Sequence, residues 1–500
     1  MNMIKIVIPI LFSIMIFNEV FGQLTYPKRE FRGAWVATVA NIDWPSSKSS
    51  SSADQIKELK DTFDKLKEAG INAVLFQVRT ECDALFSSSF EPWSYWLTSE
   101  QGKAPDPFFD PLQLAIDEAH KRGMELHAWF NPYRATKNTD DYKVSDFHVS
   151  RIHPEWILTF GNYKMLDPGI PEVKDYITSI IEEVISNYDV DGIHFDDYFY
   201  PYSPKISNED SITYLKYGSD FLNIDDWRRD NINSMVAKVH ERINQIKPHI
   251  KFGISPFGIV ENKYAGTNGF NSYSILYCDP LTWIKAKTVD YVTPQIYWEI
   301  GHKLADYALL LPWWSSVVEE RHLYIGHFSS RFTAKAYEGK KSEIGDQFRM
   351  NRDYSNAGGS VFFSAKSIIN NYSGFADTLK NNFYKYPALI PLMNWKDNIA
   401  PNAPKSFSVE KKERYYHLKW EQPDLAIDGD DAKYFVIYMS SSNEGMNIND
   451  PRNIFTIVNG SVQEIVNIPE FDYDGEITFS ISALDKVQNE SVANPIIVVE

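Results

Sequence analysis

The chain has 500 residues, 43% hydrophobic and 23% charged, enough for a large core and an appended domain. A formal charge of −17 argues against nucleic acid or an anionic membrane as partner, because phosphates would be repelled. With only two cysteines a disulfide scaffold is excluded, although Cys82 and Cys278 could pair.

Lys5, the apolar run over residues 6–17 and the small-residue stretch ending at Gly22 predict a secretory signal over residues 1–22. The run is too short to span a bilayer, and no other segment has that length. No Cys follows it, so lipid attachment there is not expected. The mature protein is therefore expected to be exported, to periplasm, cell surface or medium.

Residues 23–384 alternate between two patterns. Period-two or apolar runs predict strands over 31–39, 73–79, 125–134, 191–199, 251–258, 289–298, 322–329 and 359–365. Amphipathic stretches predict helices over 53–69, 111–122, 171–188, 225–247 and 342–356. Gly70 and Gly123 stand where two of these helices should stop. Eight strands alternating with helices predict a (β/α)8 TIM barrel. Residues 385–404, with Pro387, Pro391, Pro401 and Pro404, read as a linker. Short alternating runs over 405–500 predict a small all-β, immunoglobulin-like sandwich. The Ala400–Pro404 stretch, Trp420, and the 482–485 and 489–491 segments resemble a fibronectin type III module, read as a spacer or docking domain.

A carboxylate at the C-terminal end of a barrel strand is where such a fold places catalysis. In the fourth strand, Asp196 shares a face with Gly192 and His194, whereas Asp197 shares the helix-facing side with Ile193 and Phe195. Asp196 is thus expected to point into the mouth, with Asp197 bracing the loop or touching substrate unless a bulge exchanges them. On the sixth strand Gln295, Tyr297 and Glu299 alternate with Ile296 and Trp298, so Glu299 is expected at the interior rim. Walled by Tyr297 and Trp298, it would be the proton donor. Two carboxyls across a barrel mouth suit glycoside hydrolysis, and their separation, about 5–5.5 Å or about 6.5–9.5 Å, would decide retention or inversion.

Gln77 and Arg79 on the second strand, and Asn131 on the third, are expected to face inward and hold an acid or a sugar oxygen. Arg134, His194 and Gln295 join them as positioning groups. His127 and His194 read as hydrogen-bonded interior residues rather than metal ligands, since no closely spaced His pair ends a strand. Trp35, Trp44, Trp93, Trp96 and Trp298 lie at or beyond strand ends, where an aromatic floor for a sugar would form.

The run from Arg29 to Pro45, with Phe76–Arg79, Trp129–Arg134, Leu166–Gly169, Asp191–Pro201, Gly253–Gly258 and Pro294–Trp298, resembles glycosyl-hydrolase-like family ten, formerly domain of unknown function 187. The resemblance implies a secreted bacterial barrel of the α-amylase and α-galactosidase-like group, in which an acid ending strand four is the usual nucleophile; Asp196 matches it. Members include envelope enzymes that cut peptidoglycan glycan strands stripped of peptide. Chitinase-like barrels share the Asp-Gly start, but their catalytic Glu would fall at Tyr198, against a substrate-assisted mechanism.

The sequence reading is thus an exported glycoside hydrolase of a bacterial polysaccharide, cell-wall glycan first and dietary or capsular glycan second, with no cofactor and no metal required. Asp196 would be nucleophile or base and Glu299 the acid, with Trp35, Gln77, Arg79, Asn131, Arg134, His194, Asp197, Gln295, Tyr297 and Trp298 around the substrate. A non-catalytic glycan-binding barrel is the main rival. Oligomeric state is open.

Overall fold

The computed structural model describes residues 26–441, 445–469, 476–495 and 497–499, so the expected signal at 1–22 lies outside the described residues. Eight parallel strands close into a barrel. In chain order they are β1 (Phe31–Val36), β2 (Ala73–Arg79), β3 (Glu125–Phe130), β4 (Gly192–Phe195), β5 (Lys251–Ile254), β6 (Tyr291–Val292), β7 (His322–His327) and β8 (Ala357–Phe362), with β8 pairing back onto β1. Each expected strand is present, but most end earlier than the alternation suggested. The sixth is the extreme case: Pro294 has no N–H for the ladder, and only two isolated bridges at Gln295, to Phe257 and Gly326, continue the pairing.

Helices α1 (Ser52–Glu68), α2 (Pro111–Lys121), α3 (Pro171–Asn187), α4 (Ile224–Ile246), α5 (Pro280–Ala286), α6 (Tyr307–Val317) and α7 (Glu343–Arg352) belong to the outer layer. Their starts are fixed locally: the Ser51 side chain accepts from Asp54 N, and Asp110 from Gln113 N. After α1 and α2 the chain turns through Gly70 at φ 86° and Gly123 at φ 64°, a region glycine enters without Cβ strain.

Alternation along the strands separates two cores. Val74, Phe76, Leu126, Ala128, Ile193, Phe195 and Phe252 face the helices. Phe31, Trp35, Leu75, Trp129, Tyr291, Tyr324 and Val361 fill the barrel. Large rings fit inside because small residues face them: a Cβ on Gly192 would lie 2.5 Å from the His127 ring, and one on Gly253 2.1 Å from the Tyr291 ring.

Polar groups inside the barrel form a directed chain of hydrogen bonds from mouth to base. The Trp35 indole N–H donates to His194 Nε2 at 3.1 Å, which leaves the imidazole proton on Nδ1, donated to the Tyr291 hydroxyl at 3.0 Å. Tyr291 in turn donates to His127 Nδ1 at 2.8 Å, and His127 Nε2 donates to Glu125 at 3.1 Å. Lys251 also donates to Glu125.

The base of the barrel is closed by the C-terminal region. Strands β9 (Lys405–Lys412), β10 (Tyr415–Glu421) and β13 (Glu464–Pro469) form one antiparallel sheet; β11 (Tyr434–Ser441), β12 (Ile454–Asn459), β14 (Ile477–Leu484) and β15 (Ile497–Val499) form the other. Leu418 and Trp420 of the first share an apolar cluster with Phe435, Ile437, Phe479 and Ile481 of the second. The turn after β14 enters the barrel base. Val487 joins the interior cluster, and Gln488, at φ 76°, donates to Glu125 at 3.0 Å. Asp485 braces that turn by accepting from Val487 N and Asn489 N, both at 2.9 Å.

The stretch over 385–404, expected to be a linker, packs as a strap. Leu389 exchanges two backbone hydrogen bonds of 2.8 Å with the segment before β1, and Ile390 and Met393 plug the interior beside Val487. Lys396 pairs with Asp290 at 2.9 Å. Cys82 and Cys278 are both free and buried. Among the described residues no helix is long and apolar enough to cross a membrane.

Candidate active site

At the C-terminal mouth a cavity of about 120 Å³ is lined by Trp35, Trp129, Asp196, Asp197, Tyr198, Ser255, Gln295, Tyr297 and Phe363. Each comes from a strand end: β1, β3, β4, β5, β6 and β8 all contribute. Both neighbouring aspartates reach it because β4 stops at Phe195; once the pleat ends, consecutive side chains no longer alternate between barrel and helices.

Their surroundings differ. Asp196 Oδ2 accepts from the Trp129 indole at 3.0 Å and from Asn131 Nδ2 at 3.2 Å. Oδ1 keeps only a 3.4 Å contact from Tyr198 N, which leaves it the freer oxygen for a substrate. Burial raises this carboxyl to about 6, opposed by Arg134 and the Trp129 and Asn131 donors. Asp197 accepts from the Tyr202 hydroxyl, and burial, with the charge of Asp196 adding to it, pushes it up to about 7. One carboxyl is better supplied with donors to its ionised form; the other holds its proton nearer neutrality.

Glu299 does not join them. After Trp298 the chain turns away, and Glu299 faces Tyr337 instead of lining the cavity. The alternation that put it at the rim holds through Gln295 and Tyr297, then ends at this bend. The carboxyl brought beside Asp196 is Asp197.

Arg79 also departs from expectation. A bulge between Gln77 and Arg79 shifts the register of β2 against β3, so the guanidinium leaves the interior face. It makes a buried ion pair with Glu91 at 2.6 Å and donates to the Asn131 and Pro132 carbonyls at 2.6 and 3.0 Å. Gln77 is buried, its Oε1 accepting from Thr38 N and Val39 N at 3.0 Å, and it does not line the cavity. The Asn131 amide is taken up by Asp196 and by Arg134 N at 3.0 Å.

His194 lies in the barrel interior, tied to Trp35 and with Ser255 Oγ 3.1 Å away, and burial holds it well below the usual imidazole range. It is a neutral support for the cavity floor. Trp298 packs edge-on to Phe257, and Trp44 is buried in the outer core. Arg134 stands behind the rim, its guanidinium carbon 5.0 Å from the centre of the Tyr198 ring.

Four lining residues were absent from the expected site. Alternation turns Trp129 inward with His127 and Asn131, although no role at the site was expected of it, and Ser255 continues the Gly253 face of β5, so alternation could have nominated Ser255 too. Phe363 and Tyr198 follow strand ends, where periodicity carries no signal.

A family model described as Glycosyl hydrolase-like 10 matches residues 30–339. "Glycosyl hydrolase YngK" of Bacillus subtilis (strain 168) is 37% identical over 508 residues, covering 99% of this chain and 98% of that protein. "Glycosyl hydrolase DigH" of Escherichia coli (strain K12) is 43% identical over 318 residues, 59% of this chain and 72% of that protein. Among solved structures, the PgaB (BpsB) glycoside hydrolase domain from Bordetella bronchiseptica covers 70% of this chain and 98% of its own, with TM-score 0.46 and 12% identity. At that score the likeness adds nothing about chemistry. The model spans most of the barrel and one relative aligns nearly end to end: the chain belongs to the Glycosyl hydrolase-like 10 family and is a glycosidase.

Proposed function

We propose that this glycosidase cleaves O-glycosidic bonds in a bacterial polysaccharide, peptidoglycan glycan strands stripped of peptide first, by a two-carboxylate mechanism centred on Asp196 and Asp197. The observation that carries it is the pair of desolvated carboxyls in one aromatic-walled cavity. Asp197, holding its proton nearer neutrality, protonates the leaving oxygen; Asp196 attacks the anomeric carbon or activates water through Oδ1. Trp35, Trp129, Tyr297 and Phe363 supply apolar faces for a sugar ring, and Gln295 hydrogen-bonding capacity.

Residues 1–22, read as a signal, would deliver the enzyme to the compartment that holds such a polymer. The C-terminal sheets, read as a fibronectin type III-like module, serve here to close the barrel base. The test is release of reducing ends from peptide-free strands by wild type and by Asp196→Asn. Release that is lost in the folded variant supports the reading. No release by wild type rejects this substrate.

A further inference from the structure

Between β3 and β4 the chain leaves the barrel to form a small antiparallel sheet of Arg134–Thr136, Ile157–Phe160 and Tyr163–Leu166. No strand of the barrel needs this sheet for closure. It presents two polar groups beside the mouth. Arg134 is 5% exposed, and its Nε donates to the Thr80 carbonyl at 3.1 Å. Its two terminal amines make no hydrogen bond to any described residue, and no carboxylate among the described residues pairs with it. The Tyr163 hydroxyl is likewise buried and unpartnered.

A buried guanidinium with its terminal donors unpaired is costly; the charges of Glu81 and Asp196 act on it and offset its burial, but neither takes up those donors. Its planar fork matches a carboxylate through two parallel hydrogen bonds. The group is anchored one residue-link from the chemistry: Asn131 accepts from Arg134 N at 3.0 Å and donates to Asp196 at 3.2 Å. Tyr198, under the guanidinium and 36% exposed, also lines the cavity.

We infer that Arg134, with Tyr163, forms a specificity subsite for a carboxylate carried on the sugar next to the scissile bond. The inference rests on the glycan reading above. It also gives selection for stripped strands a chemical basis. Such a sugar carries a free carboxylate only where no peptide is amide-linked to it.

The test compares kcat/KM on peptide-free strands with kcat/KM on the same strands after their carboxylates are reduced to primary alcohols. Wild type is expected to prefer the acidic strand by roughly ten- to a hundred-fold, the worth of a charge-assisted pair. In Arg134→Gln the ratio collapses towards one. Arg134→Lys keeps the buried charge without the fork, guards against a folding failure, and retains part of the ratio. Tyr163→Phe lowers it less. Equal rates on both strands by wild type, or an unchanged ratio in Arg134→Gln, overturn the inference. A role confined to tuning Asp196 would move the pH profile and leave the ratio alone.

If neither strand is cleaved, the glycan reading fails separately, and quenching of tryptophan fluorescence by N-acetylmuramic acid decides. Binding to wild type that is lost in Arg134→Gln sustains the carboxylate subsite. Equal binding of the acid and its reduced alcohol removes it.

Discussion

The pH dependence of kcat/KM tests the pairing of Asp196 with Asp197 most directly. Asp196 must be ionised and lies at about 6; Asp197 must be protonated and lies at about 7. Midway between these values each group is about three-quarters in its working state, so the profile is a bell centred near pH ~6.5. Two units to either side one group is almost wholly in the wrong form, and activity falls about twentyfold. The limbs belong to the coupled pair, since each charge bears on the other. The assay is initial reducing-end release from peptide-free strands between pH ~4 and pH ~9, repeated with Asp197→Asn. That variant loses roughly 10²–10⁴-fold at the optimum and its alkaline limb with it. On an aryl glycoside, whose leaving group needs no proton, most of the loss is recovered. A wild-type profile that climbs steadily through pH ~8, or an alkaline limb that survives in Asp197→Asn, would refute the assignment. Glu299→Gln should leave the profile where it is, because Glu299 faces Tyr337 outside the cavity lining.

The same raised carboxyl has a consequence for stability. Its folded value lies above its unfolded one, so the contribution is fully present below about pH ~4 and is lost as pH rises through about 7. Asp197→Asn should therefore melt above wild type at pH ~8.5, by on the order of a few kcal/mol, with the gap closing near pH ~4. Glu91→Gln, which strands the buried Arg79 guanidinium, should destabilise by roughly 3–5 kcal/mol in denaturant titration while the folded enzyme keeps its KM. A KM effect without a stability effect would return Arg79 to the substrate. Gln488→Ala should cost about 1–3 kcal/mol by leaving Glu125 a donor short. A chain ending at residue 404 should fail to fold as a barrel, as read by near-ultraviolet circular dichroism. Gly253→Ala, which drives a methyl into the Tyr291 ring, should lower the melting temperature by several degrees.

The barrel was legible in the sequence because its strands obey a local rule. Side chains alternate between two environments, and every register that buried Phe195 and Ile193 outside also turned His194 inside. Helix starts and stops were equally local, set by caps such as Ser51 and Asp110 and by turns at Gly70 and Gly123. Asp196 followed from both, as the inward residue just past a strand end.

What the sequence could not supply were the places where that rule lapses. The bulge in β2 turned Arg79 outward, and the bend after Trp298 carried Glu299 away. The early end of β4 let Asp197 into the cavity beside its neighbour. Each depends on hydrogen-bond register between strands distant in sequence, which no period in one strand encodes. The closure of the base is of the same kind. Nothing local marks Gln488 as a partner for Glu125, because the bond exists only once two domains have packed and a buried carboxylate needs its donors. Alternation therefore determined the barrel and placed Asp196 at its mouth; the tertiary register brought Asp197 into the same cavity and joined the C-terminal sheets to the barrel.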